Sequence, residues 1–211
     1  MLKDYITIAD FGFDEIIIEK SQFIGYAKPV EDEEEAQAFV QEIKKKHRDA
    51  THNVWAYVLG DHNNIQRFSD DGEPQGTAGV PVLEVLKKND VRNVCVVVTR
   101  YFGGIKLGAG GLVRAYTKGA VIALEAGGMV RRRLHQLLGV EVDYTLLGTI
   151  QNQLRLADYH LKDIVYTDKV QVIVSVLEEE ESAFCEKMVD WCNGRCTIEK
   201  LGEEYMDEKQ V

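Results

Sequence analysis

The sequence predicts an α+β chain of two consecutive domains, and three observations lead there. Over the first 135 residues the apolar positions switch between alternating and helical spacing. From about Leu138 the segments run β-α-β-β-α-β, the split βαβ order of a ferredoxin-like domain. The charge divides at the same place: residues 1–135 carry 18 Lys+Arg against 19 Asp+Glu, and residues 136–211 carry 7 against 16, within a net charge of −10. Domains are therefore expected at 1–135 and 138–205, with an acidic tail at 206–211.

In chain order, "YITIAD" and "DEIIIEKSQFIGYAKPV" alternate apolar and polar residues and read as two strands, with a hairpin about "FGF". "EDEEEAQAFVQEIKKKHRDA" places Ala36, Phe39, Val40 and Ile43 at helical spacing, with acids in the first turn and Lys44 to Arg48 in the last, the layout a helix dipole favours. "NVWAYVLG" reads as a strand and "DHNN" as a turn, and Pro81 opens a helix carrying Val82, Leu83, Val85 and Leu86. "VRNVCVVVTRYF" is a continuous apolar strand, suited to burial on both faces. A glycine-rich loop follows, then a helix from about Leu112 to Ala126 capped by Gly127 and Gly128, with Val113, Tyr116 or Thr117, Val121 and Leu124 inward. The second domain comprises strand "LGVEVDY", helix "LGTIQNQLRLADYH", strands "DIVYT" and "KVQVIVSVL", helix "EESAFCEKMVDWC" and strand "CTIEKLGEEY", and "GEEYMDEKQV" is expected to fray.

Composition narrows the function classes. With 211 residues and 45% hydrophobic content the chain can bury complete cores. No stretch approaches the roughly 18 apolar residues of a membrane span, and "MLKDYITIAD" lacks the basic start and apolar centre of a secretory signal, so a cytoplasmic protein is expected. Cys95, Cys185, Cys192 and Cys196 read as reduced, buried thiols, and no second ligand pair turns Cys192 and Cys196 into a zinc site. No metal and no cofactor is expected. The acidic excess of the second domain repels polyanions, so any nucleic-acid contact must come from a local basic face of the first.

Within "RYFGGIKLGAGGLVRAY", residues 100–116, five glycines fall between Gly103 and Gly111. The Walker ending G-K-[ST] is absent, and "GAGGLV" lacks the last glycine of the dinucleotide fingerprint. Gly110 and Gly111 stand where a helix begins, Lys106 lies in the loop, and Arg114 and Lys118 share one helix face, a local cationic surface for an anion. The competing reading is that the glycines serve positive φ and close packing. In "RFSDDGEPQGTAG", Asp70, Asp71 and Glu73 could hold magnesium or act as acid and base, and an Asp-Gly turn explains them equally well. Ser69 and Thr77 lack a nucleophile elbow, Cys95 lies in an apolar strand, and His52, near Trp55 and Tyr57, shows no orienting partner. The junction "VRRRLHQLLG" holds three arginines that face either the acidic second domain or an external phosphate.

The two blocks "FSDDGEPQGTAGVPVLEVL" and "VVVTRYFGGIKLGAGGLVRAYTKGA" resemble those of the YigZ/IMPACT family, bacterial two-domain members in particular. The resemblance implies that the first domain has the two-layer α/β fold of the second domain of a small-subunit ribosomal protein, shared with sugar and mevalonate kinases. It implies that the second is similar to the last domain of elongation factor G. Eukaryotic relatives modulate the amino-acid starvation response by competing for a ribosome-associated activator of a translation-initiation kinase. The family blocks fall here on Arg67, Ser69, Asp70, Asp71, Gly72, Glu73, Gly76, Thr77, Ala78, Gly79, Arg100, Tyr101, Gly103, Gly104, Lys106, Gly108, Gly110, Gly111, Arg114 and Tyr116. His52 also matches, while Asn53 stands where members often place a second histidine.

The first functional expectation is a translation- or stress-related regulatory protein that binds RNA, the ribosome or a translation-associated protein through the "SDDGEP" turn and the glycine loop. Lys106, Arg114 and Arg100 would contact phosphates. Asp70, Asp71 or Glu73 with His52 would instead serve an enzyme acting on a small phosphorylated or peptide substrate, and the acidic second domain would suit a protein adaptor.

Overall fold

A computed structural model describes residues 2–209. It resolves into two compact units, one running to Arg132 and including residues 207–209, the other from Arg133 to Met206. Both are of the mixed α+β class the sequence predicts. No described helix is long and apolar enough to cross a membrane.

The first unit contains β1 (Asp4–Ile8), β2 (Gly12–Ile18), β3 (Ser21–Pro29), α1 (Glu33–Lys46), β4 (His52–Leu59), β5 (Ile65–Ser69), α2 (Gly79–Lys88), β6 (Val94–Tyr101) and α3 (Gly108–Gly127). Five strands form an antiparallel sheet in the order β2-β3-β6-β4-β5. Central β6 is buried almost throughout, as its apolar run predicts. Alternate side chains of a strand face opposite ways. Val96 and Val98 accordingly join Leu112, Tyr116 and Leu124 of α3 and Val82 and Leu86 of α2, while Cys95 and Val97 join Phe39, Val40 and Ile43 of α1 on the other face. The Asp32 carboxylate caps α1 by accepting the Glu35 N–H at 2.8 Å.

The structure corrects several local expectations. The hairpin turn joins β2 to β3 at Glu19 and Lys20, both at positive φ, whereas β1 leaves this sheet and pairs with the strand after α3. Residues 65–69 form a strand. Helix α3 begins at Gly108, four residues early, and buries Leu112, Ala115, Tyr116, Gly119, Ala120, Ala123 and Leu124, whereas Val113 is exposed.

From there the chain runs through β7 (Met129–Val142), α4 (Leu147–Leu156), β8 (His160–Tyr166), β9 (Val170–Leu177), α5 (Glu181–Trp191) and β10 (Thr197–Lys209). β7 pairs with both β9 and β10, and β8 with β9, the strand order of a ferredoxin-like sheet. Leu138 and Val140 of β7 and Val172 and Val174 of β9 pack with Ile150 and Leu154 of α4 and Phe184 and Met188 of α5. The segment expected to fray continues β10 as far as Lys209, and residues 210–211 lie outside the described residues. The junction arginines have internal partners: Arg131 with Asp4, Arg132 with Asp207 at 2.6 Å, and Arg133 with Glu179 at 2.7 Å. All four cysteines are free thiols; Cys95 and Cys192 are buried, and Cys185 and Cys196 are partly exposed.

Candidate functional site

Between β5 and α2 the chain turns sharply at "SDDGEP". Asp71 and Gly72 take consecutive left-handed conformations, and the Glu73 N–H donates to the Asp70 carbonyl at 2.9 Å. The three carboxylates of this turn point in different directions, each into a set of donors. Asp70 accepts from the backbone N–H groups of Gly76 (2.9 Å), Ala78 (3.2 Å) and Gly79 (2.8 Å), and so supplies the cap that Ala78 cannot give to α2. Asp71 accepts from Lys44 Nζ and from the Asn53 N–H, both at 2.6 Å. Glu73, 8% exposed, accepts from Arg100 Nη1 at 2.7 Å and from the Tyr116 hydroxyl at 2.8 Å. Burial pushes the Tyr116 hydroxyl far above the usual phenol range, and the adjacent Glu73 carboxylate adds to the shift.

Arg100 is 5% exposed, with Phe23 and Phe102 rings 5.4 and 5.5 Å from its guanidinium carbon. It ties the turn to β6, and Tyr116 ties it to α3. The expectation that Arg100 contacts phosphate is thereby corrected, because its charge is buried against Glu73. The carboxylates of Asp70, Asp71 and Glu73 are likewise committed to internal donors, and among the described residues no cluster of metal ligands forms. His52 does have an orienting partner: its Nδ1 lies 2.8 Å from the Asp71 carbonyl, leaving Nε2 3.8 Å from Glu73. Ser69 Oγ accepts the Asp71 N–H, and the buried Thr77 hydroxyl donates to the Pro74 carbonyl.

The glycine loop follows β6 directly. Its first residues are pinned to Thr51, just before β4, by Phe102 N–H donating to Thr51 Oγ1 at 3.0 Å, and to β3 by Gly103 N–H donating to Ser21 Oγ at 3.2 Å. The five glycines then separate by physical reason. A Cβ on Gly103 would lie 2.0 Å from the Lys20 carbonyl, and one on Gly111 would lie 2.9 Å from Leu107 Cβ, so these two serve packing. Gly104 and Gly108 take left-handed φ of 87° and 68°. Gly110 has neither reason: its φ lies outside the left-handed region, and a Cβ there meets only Arg114 Nη1, at 3.6 Å.

Around this loop the surface is open and cationic. Gly104, Lys106, Gly108, Gly110, Arg114 and Lys118 are exposed, and Phe102 is 47% exposed. The first turn of α3 has no capping side chain and no acid. Its N–H groups and positive dipole end therefore face solvent. Lys106, Arg114 and Lys118 enter no ion pair among the described residues. Lys106 in the loop and Arg114 and Lys118 on α3 are thus exposed cations, whereas the acidic turn is an internal brace.

Two predicted residues lie elsewhere. Arg67 pairs with Glu33 of α1 at 3.4 Å, and the Tyr101 hydroxyl reaches His47 Nδ1 at 2.9 Å. Sequence reasoning missed Lys44 and Asn53, which hold Asp71, and Ser21, which accepts from both Gly103 and Arg100. Lys44 lay in a basic run that helix polarity already explained, and nothing in the sequence paired it with a turn 27 residues on. Phe102 stood inside the quoted glycine block as an aromatic residue at the end of an apolar strand, a signal that was legible and unused.

Comparison with known proteins matches these features to relatives. The Impact N-terminal domain matches residues 19–124, which hold both the turn and the loop, and a family described as a domain of unknown function (DUF1949) matches residues 140–195. The chain is 51% identical over 211 residues to the IMPACT family member YvyE of Bacillus subtilis (strain 168), covering 100% of this chain and 97% of that protein. It is 36% identical over 198 residues to the IMPACT family member YigZ of Escherichia coli (strain K12), covering 88% and 92%. A crystal structure of a hypothetical protein matches with TM-score 0.60 and 32% identity, covering 94% of this chain and 97% of that one. With the turn, the glycine loop and both domains accounted for, the chain belongs to the IMPACT family.

Proposed function

We propose that this protein is a translation-related regulator in the cytoplasm that docks on ribosomal RNA through the glycine loop and the first turn of α3. The observation that carries the reading is Gly110, a helical glycine that neither backbone conformation nor packing requires, on a surface where three cations stand without acidic partners among the described residues. A glycine there lets a phosphate approach the exposed N–H groups closely. Regulation of translation is the role that resemblance to the eukaryotic members implies, and it supports ribosomal RNA as the source of the phosphates. The "SDDGEP" turn contributes by bracing the loop through Glu73, Arg100 and Tyr116 rather than by touching the partner.

The test is co-sedimentation with ribosomal subunits across a salt series. If Lys106, Arg114 and Lys118 each meet a phosphate, log K falls with log salt at a slope of about −2 to −3, so binding weakens about 15- to 60-fold between 50 and 200 mM. Reversing Lys106 and Arg114 to Glu removes the association. Absence of association at low salt, or association indifferent to both reversals, overturns the reading.

A further inference from the structure

The second unit holds a pair of thiols that the proposed docking leaves unused. Helix α5 ends at Trp191, and Cys192 follows as its last capped residue, its N–H donating to the Met188 carbonyl at 3.0 Å. Asn193 and Gly194 then take left-handed φ of 50° and 73°, and Arg195 N–H donates back to the Cys192 carbonyl at 3.0 Å. This tight reversal returns the chain over the end of the helix. Cys196 Sγ consequently lies 3.9 Å from the same Met188 carbonyl, and Cys196 packs against the core cluster to which the buried Cys192 belongs. Cys192 is fully buried, whereas Cys196 is partly exposed and lines a cavity of about 270 Å³ with Glu141, Asp143, Lys169, Gly194, Arg195 and Thr197, two acids balanced by two bases.

We propose that Cys192 and Cys196 form a reversible disulfide by exchange with a small-molecule disulfide admitted through this cavity. Cys196, the accessible partner, loses its proton to solvent, and its thiolate attacks one sulfur of the small disulfide. One small thiolate leaves, and a mixed disulfide remains on Cys196. Cys192 then gives up its proton and attacks Cys196 Sγ, forming the protein disulfide and releasing the second small thiolate. The two thiolates take up the two protons, so two protein thiols are oxidised and one small disulfide is reduced to two thiols.

The surroundings favour the oxidised pair once it forms. Burial, and next to it the Cys196 thiol, push Cys192 up to about 11. A site that resists thiolate formation does not stabilise the reduced state, and a disulfide whose sulfurs are poor leaving groups resists reduction. Cys95 takes no part, because it is buried in the sheet of the first unit. Cys185, partly exposed on α5 of the same unit, is the competitor the test must separate.

Trypsin makes the separation direct, since Lys187, Arg195 and Lys200 place Cys192 in peptide 188–195, Cys196 in peptide 196–200 and Cys185 in peptide 170–187. The reduced full-length chain is incubated with oxidised glutathione, alkylated, digested without reductant and analysed by mass spectrometry. The expected result is a linked pair of peptides 188–195 and 196–200, with free thiols falling from the four of the sequence to two. In a Cys192→Ser variant, glutathione persists on Cys196. Linkage of 196–200 to 170–187, glutathione left unresolved on Cys196 of the native chain, or no loss of thiols overturns the proposal.

Discussion

Replacing Gly110 by alanine tests whether the glycine loop is shaped for its own fold or for a partner. A Cβ at this position lies 3.6 Å from Arg114 Nη1, an ordinary contact with the far end of a long side chain, and no backbone strain opposes it. Alanine is preferred over glycine in a helix by about 0.8–1 kcal/mol, and Gly→Ala at a compatible position gains about 0.4–1 kcal/mol, partly by restricting the unfolded chain. The variant is therefore expected to be more stable by about 0.5–1 kcal/mol, which raises the melting midpoint by about 1–4 °C for a chain of this size. Ribosome association should move the opposite way. A methyl group pressed between the loop and a phosphate costs about 1–3 kcal/mol, or about 5- to 150-fold in affinity. The assay pairs thermal unfolding by circular dichroism with co-sedimentation at low salt. Gly103→Ala serves as the internal contrast, because its Cβ would sit 2.0 Å from the Lys20 carbonyl and should destabilise the fold. A Gly110→Ala protein that is less stable, or more stable with undiminished association, would refute the assignment of this glycine to binding.

Two further outcomes follow from the buried groups. Glu73→Gln leaves the Arg100 guanidinium buried without its counter-charge, and urea unfolding should show a loss of about 3–5 kcal/mol; a loss below about 1 kcal/mol would mean that the pair does not brace the loop. Burial, with Lys46 second, holds His47 below the usual imidazole value of 6.5. The unfolded chain then binds the proton first as pH falls through 6.5, so stability present above that pH declines on acidification. His47→Gln should flatten this part of the stability profile, and an unchanged slope would count against the assignment.

Much of the fold was legible because periodicity reports burial directly. The inward face of α1 and the doubly buried β6 could be read from spacing alone, and so could the β-α-β-β-α-β order of the second unit. The missed turn shows where such reading stops. Glu19 and Lys20 occupy a two-residue hairpin at positive φ that sequences usually fill with Asn or Gly, so the pairing of β2 with β3 overrode local preference. At the site, Lys106, Arg114 and Lys118 were legible because exposed cations on one loop and helix keep their sequence neighbourhood. The partners of Asp71, Glu73 and Arg100 were not, since His52, Tyr116 and Lys44 come from three different elements and meet only after the sheet has formed. A carboxylate-rich turn looks the same in sequence whether its oxygens face a metal, a substrate or the backbone of the next helix.

The brace of Glu73, Arg100 and Tyr116 bears on how a mutational screen of this family would be interpreted. Substitutions at these residues and at Asp70 should rank among the most damaging in a selection for activity, and a heat map would mark them as the binding centre. Their damage would track the amount of folded protein in the cell. Gly110, Lys106 and Arg114 would show the reverse pattern, with normal abundance and lost activity, so measuring protein level alongside fitness would divide one contiguous hot spot into a foundation and a contact surface.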